Sequence, residues 1–536
     1  MTLRVRVNTE IPPDTAELGC KLLPATDPYR VIGEQLSNIV RDEDFAGLYE
    51  PTGREAIWPG MLALVTVFQF QEDLPDREAA EMAARRIDWK YALHVPLDYL
   101  GFHFTDLHNF RQRLLDNEQE ALVFDALLGK IQACGFLKKR GKQRTDSTHV
   151  VGVVQKLARL ELVTETMRVT LREVKAVDEA WATRVLPAAV CETYLERRRD
   201  YRLSDAERQT ALRKTGQDGF WLIEQIDRDA PRTIRELDTV QTLRTIWEQQ
   251  YERNEGQVTP REKMIVNAKE LIISPHETEA RAAQKRGQSW LGTRVHLTET
   301  ANTAEENQGE PNWITDVTTD IAPAGDTEAL PEIQAHLVER GVEPEQQIVD
   351  AGYISGPAIA DSRVDGVDLH GPARPDTSPQ GFQLLNFQID VEQRQATCPG
   401  GKSPVKWADT PTADGQRITR VYFGAQCAAC PFFGKGQCTE SPKGRMLTLS
   451  PHYPELAARR QAEQTRDFWQ TMKRRPGIEG TISEFVRQHG GRRSRYRGMV
   501  KTHLQNLFKA AAINLKRLVK ALVGRQTRTA AAPATG

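Results

Sequence analysis

Residues 144–150 read RTDSTHV. Thr145, Thr148 and Val150 are β-branched, and Val151, Val153 and Val154 follow, so the run has the character of a strand. Asp146 stands inside it. An ionised carboxylate is costly to bury without a partner, and Asp146 is therefore expected to face a polar cleft or a cation. The plain alternative is an edge-strand Asp that caps a turn. The heptad alone does not separate the two.

Two further stretches do. Residues 346–356 read QQIVDAGYISG, where Asp350 follows the apolar pair Ile348 and Val349 and precedes Gly352. That is a buried strand ending in a carboxylate and a Gly turn. Residues 474–498 read RRPGIEGTISEFVRQHGGRRSRYRG, where Glu479 follows Pro476 and Gly477 and opens a helical pattern through Ile482, Phe485 and Val486. Two strand-end Asp residues and a helix-borne Glu form the oxygen ligand set of a two-metal phosphoryl-transfer site. Two ions about 3.5–4 Å apart activate the attacking oxygen and stabilise the leaving one.

RTDSTHV, VDAGYIS, IEGTISEFVRQHGGRRSRYRG and KTHLQNLFKAAAINLKRL (501–518) resemble, in that order, the DDE transposases of bacterial insertion sequences. The insertion-sequence 1182 group is the branch they resemble most. The resemblance spans roughly residues 45–156 and 270–520. It implies an RNase H-like catalytic core and a triad of Asp146, Asp350 and Glu479 holding two Mg²⁺ (or Mn²⁺) ions. It also implies double-stranded DNA as partner, both terminal inverted repeats and target, with a homodimer or larger assembly on that DNA. One string departs from the pattern. The family often has Gly-Tyr-Lys before the His of its second strand, and here residues 292–296 read GTRVH. Arg294 replaces the Lys charge as a DNA contact, and the contact that the Tyr makes is absent.

The fold class expected is an α/β core, an RNase H-like mixed sheet, with helical and Cys-rich additions. Residues 1–45 read as a lead-in. Residues 46–138 have helical periodicity, with Asp76 and then Thr105 or Asp106 as N-caps. The resemblance makes this domain a DNA-contacting one, with Arg111 and Arg113 as phosphate contacts; solvated helix-face charges are the alternative. The core is expected at 139–156, 270–390 and 468–522. Within it, strands are expected from about Leu291 to Thr298, from Trp313 to Ile321 and over 364–374. Asp326 is read as a helix cap and Asp320 as a support for the site. Residues 157–269 read as a helical insertion, and 523–536 as a disordered tail.

The chain has 536 residues, 39% hydrophobic and 27% charged, with net charge −1: an ordinary globular composition with no bulk excess of positive charge. The most apolar N-terminal run, MLALVTVFQF, is too short for a bilayer, and no secretion signal precedes it. A cytoplasmic protein without membrane contact is expected. Seven Cys is an odd number, and four of them fall within 391–450, which argues against a disulfide framework. Cys398, the pair Cys427 and Cys430, and Cys438 fit a structural Zn²⁺ site; buried reduced thiols are the alternative.

Positive charge is concentrated late. Between Lys473 and Arg528 there are 15 Lys and Arg against two acidic residues, Glu479 and Glu484. Such a stripe is a nucleic-acid footprint. Arg492, Arg493, Arg495, Arg497 and Lys501 are its DNA-contact candidates. The functional reading is a DNA transposase that cleaves transposon ends and joins them to target DNA. Its alternatives are a metal-dependent nuclease and a degenerate transposase that only binds DNA.

Overall fold

The chain is helical before its first long strand. In the computed structural model, which describes residues 1–536 apart from 7–9, 37–38, 154–156, 197–202, 255, 264, 286, 413–414, 435 and 532–536, α1 (Pro13–Leu22) and α2 (Pro28–Gln35) come first. Asp27 caps α2 by accepting from the Tyr29 and Arg30 amides. Val31, Ile32 and Leu36 are buried in the main core. The expected lead-in is thus corrected: part of it belongs to the helical domain, because its apolar residues recur at helical spacing.

Next come α3 (Pro59–Gln71), α4 (Asp76–Arg85), α5 (Ile87–Leu93), α6 (Thr105–Asp116) and α7 (Leu122–Ala133). α3 is apolar on every side and buried on every side. Pro75, not Asp76, occupies the cap position of α4, and Asp76 instead bonds Gln69 and Arg111. Likewise Phe104 holds the cap position of α6, and Thr105 is its first residue.

β1 (Lys142–Val151) is the RTDSTHV strand. After it come α8 (Arg159–Val177), α9 (Glu179–Val185), α10 (Ala188–Cys191), α11 (Asp205–Asp229), α12 (Arg232–Arg235) and α13 (Asp238–Gln250). The hairpin of β2 (Tyr251–Asn254) and β3 (Gln257–Pro260) closes this stretch. It has its own apolar cluster, including Leu171, Leu222, Trp247 and Tyr251. Gly219 makes that packing feasible, since a Cβ there would lie 2.1 Å from the Trp247 ring.

The sheet then resumes with β4 (Arg281–Lys285), β5 (Gln288–Thr300) and β6 (Ile314–Ile321), followed by α14 (Asp326–Glu339), β7 (Gln346–Ile348), α15 (Gly356–Val364) and β8 (Asp368–His370). β5 pairs antiparallel with β1 on one edge, and with β4 and then β6 on the other. β7 pairs parallel with β1, and β8 parallel with β7. This mixed sheet is compatible with an RNase H-like core. Residues 364–374 differ from expectation: Val364 ends a helix, and the strand is confined to three residues after the Asp365-Gly366 turn.

The Cys-rich stretch folds around β9 (Gln388–Asp390), β10 (Gln395–Thr397), β11 (Lys406–Pro411), β12 (Arg417–Tyr422) and β13 (Met446–Leu449), with a small core around Phe387, Val421 and Phe423. α16 (Tyr453–Ala462), α17 (Arg466–Met472), α18 (Gly477–Arg487) and α19 (Met499–Ala531) complete the chain. α19 packs on α3, α7 and β6, with Phe508 stacked on Phe70. The expected tail is helical as far as Ala531; residues 532–536 lie outside the described residues. Among the described residues no helix is long and apolar enough to cross a membrane.

Candidate functional site

Asp146, Asp350 and Glu479 meet at one side chain, the guanidinium of Arg475. Its Nη2 lies 2.8 Å from Asp146 Oδ2 and 3.8 Å from Asp350 Oδ2, and its Nη1 lies 3.5 Å from Glu479 Oε1. Each Asp has its own local support. The Ser147 amide donates to Asp146 Oδ1 at 2.8 Å, and the Gly352 amide to Asp350 Oδ1 at 2.7 Å. Glu479 lies in the first turn of α18 with its side chain 65% exposed. Burial pushes the Asp146 carboxyl above the ordinary carboxylate range; Arg475 opposes this, and the nearby charges of Asp350 and Asp326 add to it.

A buried ion network sets α18 against the sheet. Glu299 of β5 is fully buried. It accepts from Arg144 of β1 at 2.6 and 2.8 Å, from Thr481 of α18 at 2.6 Å and from Arg517 of α19 at 3.1 Å. Arg144 Nη1 also donates to the Arg474 carbonyl at 2.6 Å. Gly477 leaves the space for this approach: a Cβ there would lie 2.0 Å from Arg144 Nη1. Arg144 of the RTDSTHV string therefore fixes the backbone from which Arg475 and Glu479 project.

A second polar group lies beside the triad. Asp326 bonds Ser147 and Arg294, and the Tyr353 hydroxyl lies 2.7 Å from His296 Nδ1. Burial pulls His296 down to about 4 and pushes Tyr353 well up. His296 is therefore neutral at physiological pH and hydrogen-bonded to Tyr353.

The DNA-contact candidates divide by environment. Arg111 is buried, paired with Asp76 and set over the Tyr496 ring. Arg495 is turned inward to Asp73 and the Leu74 carbonyl. Arg294 is paired with Asp326. Carboxylates and carbonyls of the protein itself take donors of all three. Arg113 donates to the Leu48 carbonyl and lies over Tyr49. Arg492 donates to the His149 ring and carbonyl and to Thr148 Oγ1, while His149 packs on Trp290. Arg493 and Arg497 are exposed, and Lys501 is half-buried on the first turn of α19. The loop bearing them is tied to the end of β1: the Val151 amide donates to the Arg492 carbonyl, and the Ser494 amide donates to that of Val151. Much of the late basic stripe is paired within the protein, since Arg474, Lys516, Arg517, Arg525 and Arg528 pair with Glu306, Glu484, Glu299 and Glu310.

Cys398, Cys427, Cys430 and Cys438 are free thiols lining one cavity of about 20 Å³, with Phe382, Phe423 and Phe432 around them. Gly400 passes between two of them: a Cβ there would lie 3.1 Å from Cys430 Sγ and 3.7 Å from Cys398 Sγ. Burial pushes the Cys438 thiol up, Arg445 opposes this, and the other three cysteines add to it. Among the described residues no three His, Cys, Asp or Glu side chains already stand as a formed metal-ligand group. At the triad, Arg475 lies between the carboxylates.

Sequence reasoning missed Arg475 and the link of Asp326 to the triad. Arg475 had a readable signal, since an Arg four residues before a Glu at a helix start shares its face. Asp326 had none, because a helix-start Asp reads as a cap.

Residues 397–519 match the family model of the transposase DDE domain, and residues 20–113 match that of a transposase domain known as DUF772. Glu479 and the four late cysteines fall inside the first match; Asp146 and Asp350 lie outside both. No curated protein and no solved structure matches the chain. The two family matches support a DDE-type transposase, an enzyme kind that acts on DNA.

Proposed function

We propose that this protein is an insertion-sequence transposase, of the 1182 group, that cleaves DNA at the ends of its element and transfers the freed strand into target DNA. The observation behind this reading is the meeting of Asp146, Asp350 and Glu479 on Arg475 from three distant stretches of chain. An all-oxygen donor set fits hard divalent cations. Two Mg²⁺ or Mn²⁺ ions held by these carboxylates would supply Lewis-acid activation of the attacking oxygen and stabilise the leaving one.

The chain's own groups do the rest by positioning and charge. Arg475 holds the carboxylates together in the free protein. Its planar donor fork would also suit a phosphate oxygen beside the triad. Water attacks the phosphodiester at the element's end and frees a 3′-hydroxyl. That hydroxyl attacks target DNA in the same site, with no covalent protein intermediate. Arg493, Arg497 and Lys501, on the loop tied to β1 and the start of α19, are the proposed phosphate contacts. The working assembly is a dimer or larger on DNA, in the cytoplasm. The four cysteines are proposed to close around a structural Zn²⁺, whose preference for thiolates suits them.

The test is incubation of full-length protein with its flanking element ends and Mg²⁺, scoring cleaved and joined products. Asp350→Asn keeps the size of the side chain and removes a ligand charge. It should lower cleavage by at least about a thousandfold, as expected when electrostatic stabilisation of the transition state is lost, while gel-shift binding stays near wild type. Cleavage without joining would leave a metal-dependent nuclease, and binding without cleavage a DNA-binding relic.

A further inference from the structure

Asp326 is the first residue of α14, and the cap position belongs to Gly325. Its carboxylate leans out towards the triad. Oδ1 accepts from Ser147 Oγ at 3.0 Å and from Arg294 Nη1 at 2.7 Å. Oδ2 lies over Gly352, where a Cβ would be 2.5 Å from Asp326 Oδ2 and 2.8 Å from Asp350 Oδ1. Two carboxylates from different elements thus close on the space that one missing side chain leaves. On the other side, the Ser147 that Asp326 holds donates its amide to Asp146. Asp326 therefore touches the immediate supports of both Asp146 and Asp350.

We propose that Asp326 is a fourth carboxylate of this site, a positioning residue that strengthens its hold on divalent ions without touching the reacting atoms. This rests on the triad reading above. Four carboxylates, at 146, 326, 350 and 479, face the two guanidiniums of Arg294 and Arg475. The formal excess is two negative charges, and without Asp326 it would be one. Extra negative charge in a partly dehydrated cleft strengthens cation binding. Arg294 limits the repulsion that Asp326 would otherwise add before ions arrive.

The competing account is a plain salt bridge that pins α14 to β5. The two accounts differ in sign. Mn²⁺ binding to DNA-free, full-length protein can be followed by electron paramagnetic resonance, beside the Mg²⁺ dependence of cleavage. Asp326→Asn should weaken Mn²⁺ affinity by about tenfold, the usual scale for a group supporting metal ligands, and raise the Mg²⁺ requirement for cleavage in proportion. Arg294→Gln should leave Mn²⁺ affinity unchanged or tighten it. The Asp326→Asn/Arg294→Gln double variant, with three carboxylates against one guanidinium, keeps the wild-type excess of two and should bind Mn²⁺ near the wild-type affinity, while Arg294→Gln supplies the measurement if Asp326→Asn alone does not fold. A salt bridge predicts the opposite sign for Arg294→Gln: both single variants weakened alike. That pattern, or Mn²⁺ affinity unchanged in Asp326→Asn, overturns the proposal. Asp350→Asn runs in parallel. If it too keeps full Mn²⁺ affinity, the triad reading itself fails; if it loses affinity while Asp326→Asn does not, only the fourth carboxylate falls.

Discussion

Lys509 shows how far a residue's surroundings can override its type. It is one of the basic residues of the late stripe, yet it is fully buried, donating to the Gly490 carbonyl at 2.9 Å near the Phe70 ring. Burial pulls its pKa down to about 7, with Arg495 adding to the effect and Asp73 opposing it. An unfolded Lys stays charged up to about pH 10.4. The folded state therefore binds the proton less tightly than the unfolded state. The stability lost to this residue grows as pH falls from about 10 to about 7, and is constant below that. Lys509→Met should raise stability by about 1–4 kcal/mol at pH 7, the range seen when a buried charge is replaced by an apolar group. The gain should shrink towards pH 10. Thermal melts across that range check it; a gain independent of pH would mean that packing, not charge, is responsible.

At the scale of elements, the decisive device is the Glu299 network joining β1, β5, α18 and α19. Its worth lies less in net stability than in fixing the first turn of α18, because a buried ion network gains little over an apolar core. Glu299→Ala strands Arg144 and Arg517 without their buried partner. It should destabilise the protein by about 3–5 kcal/mol. Glu299→Gln, which keeps the shape, should fold better but lose cleavage through misplacement of Glu479. Denaturant titration and the end-cleavage assay separate the two effects. The Cys-rich element makes a different prediction. With an apolar cluster confined to a few residues around Phe387, Val421 and Phe423, it should need its metal to hold shape. Purified protein should contain about one zinc per chain with Zn–S distances near about 2.3 Å by X-ray absorption. Absence of zinc, with all four thiols freely alkylated in the native protein, would leave buried reduced cysteines.

Over the whole molecule, charge is balanced and locally sorted. The net charge of −1 conceals the fact that much of the basic C-terminal stretch is neutralised internally by carboxylates. The basic surface that remains is smaller than the number of basic residues suggests. Replacing Arg493, Arg497 and Lys501 together with Ala should reduce the slope of log affinity against log salt by roughly 0.9 for each phosphate no longer neutralised. Arg495→Ala should leave that slope unchanged and lower the melting temperature, because it removes the bond to Asp73 and the packing on Phe70. Gel shifts across a salt series distinguish the two classes; a slope unaltered in the triple variant would return those residues to the solvated surface.

The sequence by itself determined the strands, helices and carboxylates whose signals are local. RTDSTHV is a strand because β-branched residues crowd it, Asp350 lies just past a strand where a Gly turn begins, and Glu479 opens a helix because Pro and Gly precede it. The helical stretch after β1 was likewise legible from its periodicity. Tertiary structure alone decided which charges stay at the surface and which face each other. Arg111, Arg294 and Arg495 look like any surface arginine in one dimension, and only packing brings Asp76, Asp326 and Asp73 to them. It also decided that Arg475 stands among the three carboxylates, and that Asp326 closes over Gly352 from another element. Backbone preference acts within a few residues and can be read there. Electrostatic pairing acts through space between residues that the sheet topology brings together, and the order of residues along the chain does not record it.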